Sequence, residues 1–149
     1  EIKENTDLNS LIIELAQARH IEEKHHIALK LNDIPLLDLR RVAMKRVIDN
    51  IIENAFRYGS DNIVISTFYN RNEKRVYCKI RDFGPGIPAA ELEHVFMPFA
   101  QGDKARSTSG SGLGLSIIRR IVEAHDGGVE LRNHPQQGLI AEFYLPLHE

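Results

Sequence analysis

Three polar residues share one stripe of a predicted helix. Asn50, Asn54 and Arg57 are spaced by four and three residues, and side chains at these spacings lie on one helix face. At about 100° per residue, Asn54 falls near the border with the apolar face, where a polar group can line a cleft. A neutral amide oxygen suits Mg²⁺ that is shared with substrate phosphates. An ordinary solvated helix face would have the same pattern.

An acidic residue followed by closely spaced glycines comes directly after a predicted strand. The segment reads Asp82-Phe83-Gly84-Pro85-Gly86-Ile87. Gly84 and Gly86 allow a flat ligand to approach the backbone closely. The Asp82 carboxylate, at the strand end, can accept a hydrogen bond from an exocyclic amine. A plain turn uses the same residue types, so this motif also has a structural alternative.

A third motif opens a predicted helix with regularly spaced glycines. It reads Gly110-Ser111-Gly112-Leu113-Gly114-Leu115. Glycines expose backbone N–H groups, and a helix N-terminus carries partial positive charge, so the motif is suited to bind phosphate. It is not a Walker loop, because no Gly-Lys-Ser/Thr follows. A flexible linker is the alternative.

Two phenylalanines lie between the second and third motifs. Phe96 and Phe99 flank Met97 and Pro98, and a polar stretch follows them. Such a long irregular stretch inside a domain is usually functional. We expect an aromatic anchor and a mobile lid over residues 97–110.

The apolar periodicity indicates which elements hold these motifs. Helical periodicity predicts helices over 7–22, 38–58 and 111–125, and a short helix over 89–94. Alternating apolar and polar residues predict strands over 25–31, 63–69, 75–81, 129–132 and 139–145. Asp7 and Asp38 are the expected helix caps, and Gly59 is the expected stop of the long helix. This order predicts an α+β two-layer sandwich, with helices on one face of a mixed, mostly antiparallel sheet.

Length and composition exclude several classes of protein. The 149 residues fit a single domain over 1–149, and the net charge of −2 without a basic run argues against nucleic-acid binding. Cys78 is the only cysteine, so an intrachain disulfide is impossible, and we expect it in the core. No apolar stretch approaches the roughly 18 residues of a membrane span, so direct membrane contact is not expected. Because the sequence begins with Glu1 rather than methionine, we expect it to be a piece of a longer protein.

The order of the motifs is far more specific than any one of them. Asn-x-x-x-Asn on a helix, Asp-x-Gly-x-Gly, Phe-x-x-Phe and Gly-x-Gly-Leu-Gly-Leu together resemble the catalytic domains of sensor histidine kinases. These domains have the Bergerat ATP-binding fold, which gyrase, Hsp90 and MutL share. The resemblance covers residues 38–145. The stretches Phe-Arg-Tyr-Gly, Asp-Phe-Gly-Pro-Gly-Ile and Pro-Phe-Ala-Gln-Gly-Asp-Lys-Ala-Arg are most similar to the osmolarity-sensing members of that family.

The resemblance implies ATP as the substrate, Mg²⁺ as the metal and a role for each matching residue. Asn54 would hold Mg²⁺ with support from Asn50, Arg57 would reach the phosphates, and Tyr58 would pack by the adenine. Asp82 would accept from the adenine amine. The residues expected to shape the base pocket and to wrap the phosphates are Gly84, Gly86, Ile87, Phe99, Gly110, Ser111, Gly112, Leu113, Gly114 and Leu115.

The resemblance also implies partners. The γ-phosphate would pass to a histidine on a separate dimerisation and phosphoacceptor domain, and then to an aspartate of a response regulator. The whole kinase would be a homodimer, with this cytoplasmic domain attached to an inner-membrane sensor. No acceptor pattern surrounds the histidines of this chain, so we expect it to bind Mg-ATP without phosphorylating itself. These histidines are His20, His25, His26, His94, His125, His134 and His148.

The same motif order is compatible with two other functions. A self-contained ATPase of the gyrase or Hsp90 kind uses a glutamate to activate water, but the matching residue here is Asn50, which cannot take that proton. Glu53 lies about 60° away from Asn50 around the helix. The third possibility is an ATP-sensing or serine-kinase regulator such as an anti-sigma factor.

Overall fold

Helices and strands both occur in the computed structural model, which describes residues 1–19, 25–97 and 114–148. The helices are α1 (Leu8–Arg19), α2 (Arg41–Asn54), α3 (Ala89–Leu92) and α4 (Gly114–Ala124). The strands are β1 (Glu4–Thr6), β2 (His26–Lys30), β3 (Leu37–Leu39), β4 (Asn62–Asn70), β5 (Arg75–Asp82), β6 (Gly128–Asn133) and β7 (Leu139–Pro146). The expected lid lies outside the described residues except for Met97.

Five strands form the main sheet, in the order β2-β4-β5-β7-β6. β2 pairs with β4 in parallel, and the other neighbours are antiparallel. The register places Ile65 opposite Ile80 and Ile80 opposite Ala141. Because side chains alternate along a strand, these three residues lie on the same face of the sheet.

The helices cover this apolar face of the sheet. α2 contributes Met44, Val47, Ile48, Ile51 and Ile52 to the core, and α4 contributes Leu115, Ile118 and Val122. A fully buried side chain of this size stabilises a fold by about 1.5–3 kcal/mol. The predicted α+β sandwich with a mixed, mostly antiparallel sheet is therefore confirmed.

The start of the long helix was wrong in the sequence prediction. Asp38 does not cap α2, because it lies in β3, which pairs with β1 through Asn5. The helix begins at Arg41, and Arg40 makes no side-chain capping bond. Instead, the Glu1 carboxylate accepts hydrogen bonds from the backbone N–H groups of Val42 and Ala43, which lie in the first turn of α2. The two short strands were also missed, because pairing across more than thirty residues leaves no local signal.

Three local predictions are confirmed. The Asp7 carboxylate accepts a hydrogen bond from the Asn9 backbone N–H at 3.0 Å, which caps α1. Cys78 is fully buried. The helical path that begins at Arg41 ends at Gly59, although its last turn is π-helical over Ala55–Gly59.

Candidate nucleotide-binding site

Asp82 ends β5, and the alternation of that strand turns its side chain toward the helices, on the same face as Cys78 and Ile80. Only 6% of the residue is exposed. Its Oδ1 atom accepts hydrogen bonds from the backbone N–H groups of Gly84 at 2.9 Å and Leu139 at 3.1 Å. These two bonds fix the orientation of a buried carboxylate, whose other oxygen, Oδ2, lies beside Gly59.

Two glycines bring the π turn and the loop after β5 into direct backbone contact. A Cβ added to Gly84 would lie 2.5 Å from the Cα of Gly59, and a Cβ added to Gly59 would overlap the carboxylate of Asp82. The contact is reinforced by Ser60, whose Oγ accepts a hydrogen bond from the Phe83 backbone N–H at 3.0 Å. The π turn thus ends with Gly59 directly against the side chain of Asp82.

A pocket opens between α2, α4 and the sheet beside Asp82. It brings together five of the residues that the sequence singled out, namely Asn54, Tyr58, Asp82, Gly86 and Leu115. The remaining lining residues were missed by the sequence analysis and are all apolar: Ile51, Ala55, Ile80, Leu131, Leu139 and Ala141. The strand alternation could have found Ile80, which is two residues before Asp82 on the same face. Leu131, Leu139 and Ala141 come from β6 and β7, and they lie at the pocket because of the strand order of the folded sheet.

Other sequence-predicted residues lie beside the pocket rather than in its wall. Asn50 lies one turn before Asn54 on α2, and Gly84 packs on Gly59. Ile87 is buried, and Gly114 begins α4. A further group falls outside the described residues: Phe99, Gly110, Ser111, Gly112 and Leu113.

Arg57 belongs to a charged network on the surface of α2 and the π turn. Its Nη2 donates to Glu53 Oε1 at 3.2 Å, and Glu53 Oε2 accepts from Nη1 of Arg19 at 2.9 Å. Arg19, at the end of α1, also donates to Asp49. Partial burial disfavours the charged form of Arg19, but the hydrogen bonds that it donates to Glu53 and Asp49 outweigh this effect and raise the pKa of the guanidinium. Arg57, which is predicted to reach the phosphates, is thus hydrogen-bonded to the acidic side chain of Glu53.

The donor atoms of the pocket suit a shared metal ion rather than a dedicated metal cage. In the described parts of the chain, no group of three or more His, Cys, Asp or Glu residues is placed to hold a metal. The Asn54 carboxamide is a neutral oxygen donor on the pocket wall. Such a donor fits Mg²⁺, which keeps several waters and takes substrate phosphates as ligands.

A two-layer domain whose apolar pocket ends at a buried carboxylate, beside the start of α4, has the features of an ATP-binding domain. The family model "Histidine kinase-, DNA gyrase B-, and HSP90-like ATPase" matches residues 40–149, and the chain belongs to this family. The family resemblance inferred from the motif order is confirmed.

Individual relatives place the chain with the histidine kinases. It is 37% identical to the alginate biosynthesis sensor protein KinB of Pseudomonas aeruginosa and 34% identical to the sensor histidine kinase WalK of Bacillus subtilis, covering 95% and 94% of this chain. It spans 24% of the length of each relative. The solved histidine kinase domain of the E. coli osmosensor EnvZ is 34% identical, with a TM-score of 0.77, covering 100% of this chain and 91% of that one. In the described residues, no helix is both long and apolar enough for a membrane crossing.

Proposed function

We propose that the chain binds Mg-ATP and donates the γ-phosphoryl group to a histidine on a separate phosphoacceptor domain of a longer sensor kinase. The observation that carries the proposal is the buried Asp82 carboxylate, which two backbone N–H groups orient at the end of an apolar pocket. A buried charge of this kind calls for a donor on its ligand. The exocyclic amine of adenine is such a donor.

The pocket would hold a purine ring between apolar walls. Asp82 would accept from the adenine amine, and the side chains of Ile80, Leu131 and Leu139 offer surface to the faces of the ring. Tyr58 lies at the same pocket and would pack beside the base. The base would therefore be recognised at one end by hydrogen bonding and along its faces by apolar contact.

The phosphates would extend from this pocket toward Asn54 and the start of α4. Asn54 would hold Mg²⁺, supported by Asn50, and Mg²⁺ would neutralise charge on the phosphate oxygens. The glycine motif from Gly110 to Gly114 would supply backbone N–H groups. Arg57 would reach the phosphates by exchanging the Glu53 carboxylate for a phosphate oxygen, since both are anionic acceptors for a guanidinium.

In the transfer step, the bond between the γ-phosphorus and the leaving oxygen of ADP breaks, and a bond to an imidazole nitrogen of the acceptor forms. This reaction depends mainly on positioning and on neutralising charge, which the residues of this domain supply. An aspartate of a response regulator would then receive the phosphoryl group. We further propose that residues 1–149 act as one cytoplasmic domain of a homodimeric inner-membrane kinase.

The surroundings of Glu53 favour a kinase over a self-contained ATPase. Asn50 cannot accept a proton from water. Each Glu53 oxygen accepts a hydrogen bond from a guanidinium group, Oε2 from Arg19 and Oε1 from Arg57, and the bond from Arg19 remains if Arg57 turns to the phosphates.

The decisive experiment uses γ-labelled ATP. The chain alone should bind ATP without becoming labelled. Adding a separately purified dimeric helical domain that contains the acceptor histidine should produce label on that domain. The label should be lost in acid and survive in base, as a phosphohistidine does.

Each other outcome points to a different function. Stoichiometric acid-labile label on the isolated chain would overturn the requirement for a separate acceptor. Release of inorganic phosphate without any protein label would favour the ATPase. Acid-stable label on an added protein partner would favour a serine-kinase regulator.

A further inference from the structure

Asn133 uses its whole carboxamide to hold the backbone of one residue in the loop after β5. Its Oδ1 accepts a hydrogen bond from the Ile87 backbone N–H at 2.9 Å, and its Nδ2 donates to the Ile87 carbonyl oxygen at 2.7 Å. Asn133 is the last residue of β6 and lies 46 positions from Ile87 in the sequence. The contact is therefore a tertiary link between the β6–β7 turn and the loop that forms the proposed base pocket.

The same carboxamide lies against Gly86, which lines the pocket. Gly86 has a φ of +75°, a conformation that L side chains rarely adopt, and a Cβ at this position would collide with the Oδ1 atom of Asn133. Without a side chain, Gly86 can lie directly beneath the carboxamide while its backbone faces the pocket. The shape of the pocket wall at Gly86 thus depends on where Asn133 holds the loop.

The other end of the β6–β7 turn holds the other end of the loop. The Leu139 backbone N–H donates to Asp82 Oδ1 at 3.1 Å, and Leu139 is paired with Asn133 in the β6–β7 register. One strand pair therefore fixes Asp82 at the start of the loop and Ile87 at its end. Asn54, near which the phosphates are proposed to lie, takes part in neither contact.

We propose that Asn133 is a positioning residue for adenine recognition. It holds the Gly86–Ile87 backbone in the position at which a bound purine can place its exocyclic amine against Asp82. The proposal rests on the proposed ATP-binding function. Because the clamp acts on the base end, its loss weakens every adenine compound by the same factor, regardless of the number of phosphates. Its loss also reduces the preference for ATP over GTP, because a loosened loop no longer holds the purine ring in a fixed position relative to Asp82.

The test compares Asn133→Ala with the wild type by titration with adenosine, ADP, ATP and GTP. We expect the variant, which loses both hydrogen bonds to Ile87, to bind the three adenine compounds about tenfold more weakly. The ATP-to-GTP affinity ratio should fall. Gln136→Ala, in the same turn, is the matched control. The hydrogen bond of Gln136 runs from its backbone N–H to Nδ1 of His134 and does not involve its side chain. Its affinities should equal those of the wild type.

A second variant guards against loss of the fold. Asn133→Asp keeps the side-chain size and the acceptor for the Ile87 N–H. When ionised, it cannot donate to the Ile87 carbonyl. It should therefore lose affinity by one common factor for adenosine, ADP and ATP. Unchanged affinities, a loss for ATP with none for adenosine, or unfolding of both variants would each overturn the inference. A wild-type chain that binds no adenine compound would overturn the proposed function itself.

Discussion

The imidazole of His125 accepts a hydrogen bond from the backbone N–H of Arg40, with Nε2 and the amide nitrogen 3.1 Å apart. The other ring nitrogen, Nδ1, lies 2.8 Å from the carbonyl oxygen of Ile121. A carbonyl can only accept, so Nδ1 bears the proton and Nε2 is the acceptor. This buried neutral ring ties the end of α4 to the residue before α2, and both helices line the pocket.

We predict that this contact makes stability dependent on pH. Burial lowers the pKa of His125, and Arg40 adds to the effect, against the opposing Ile121 hydrogen bond. Protonation would place a second donor opposite the Arg40 N–H. The neutral His125 ring therefore contributes fully to the free energy of unfolding above its unfolded-state pKa, near 6.5. This contribution is lost as pH falls through the lower pKa that His125 has in the folded state.

Urea unfolding between pH 7.5 and about pH 5 tests this prediction. Wild type should lose stability over this range, and His125→Gln, which can still accept from Arg40 but cannot titrate, should lose less. Because the chain contains other histidines, the difference between the two curves is the quantity to compare. Parallel curves would show that His125 is not the group responsible.

Replacing Asp82 should remove adenine recognition while leaving the fold intact. A hydrogen bond to a charged group contributes roughly 1.5–3 kcal/mol, so Asp82→Ala should weaken ATP binding about ten- to a hundredfold. Calorimetric titration gives the affinity, and circular dichroism checks the fold. Asp38→Ala is the matched control, because Asp38 is an exposed residue of β3 that does not line the pocket. Equal ATP affinity in the Asp82 variant and the wild type would remove Asp82 from the site.

Removing the Asn54 carboxamide should impair phosphoryl transfer much more than stability. Asn54 is only partly buried, at the end of α2, so little core is lost in Asn54→Ala. We expect phosphotransfer in the complete kinase to fall at least about tenfold at limiting Mg²⁺ and to recover partly at high Mg²⁺. Asn62→Ala, on exposed β4 surface, controls for loss of an asparagine. Normal transfer by the Asn54 variant would mean that the metal is held elsewhere.

The single thiol should be inert in the folded chain. Burial raises the pKa of Cys78 to about 12, and the thiolate is the reactive form. At pH 8 a disulfide reagent such as DTNB should label the native chain only at the rate of unfolding, and it should label the chain in urea at once. Rapid labelling of native protein would contradict the packing of Cys78 between β4 and β7.

Local sequence determined most of the elements and indicated two residues that line the pocket, Asn54 and Asp82. Because side chains in a strand have a period of two, the sequence of β5 is sufficient to put Cys78, Ile80 and Asp82 on one face, although the strand was predicted to end at Arg81. Helical spacing placed Asn54 at the border of the apolar face, where the structure finds it at the pocket. These features follow from the geometry of one segment, which a sequence contains in full.

Tertiary structure alone decided how these segments are capped and clamped. The cap of α2 comes from Glu1, not from the nearby Asp38, because Asp38 is taken into the pairing of β3 with β1. Contact between Gly59 and Gly84 and the hold of Asn133 on Ile87 likewise join residues far apart in the sequence. The residue type alone does not show which glycine or asparagine makes such a contact. That depends on the strand order and on how the helices pack against the sheet.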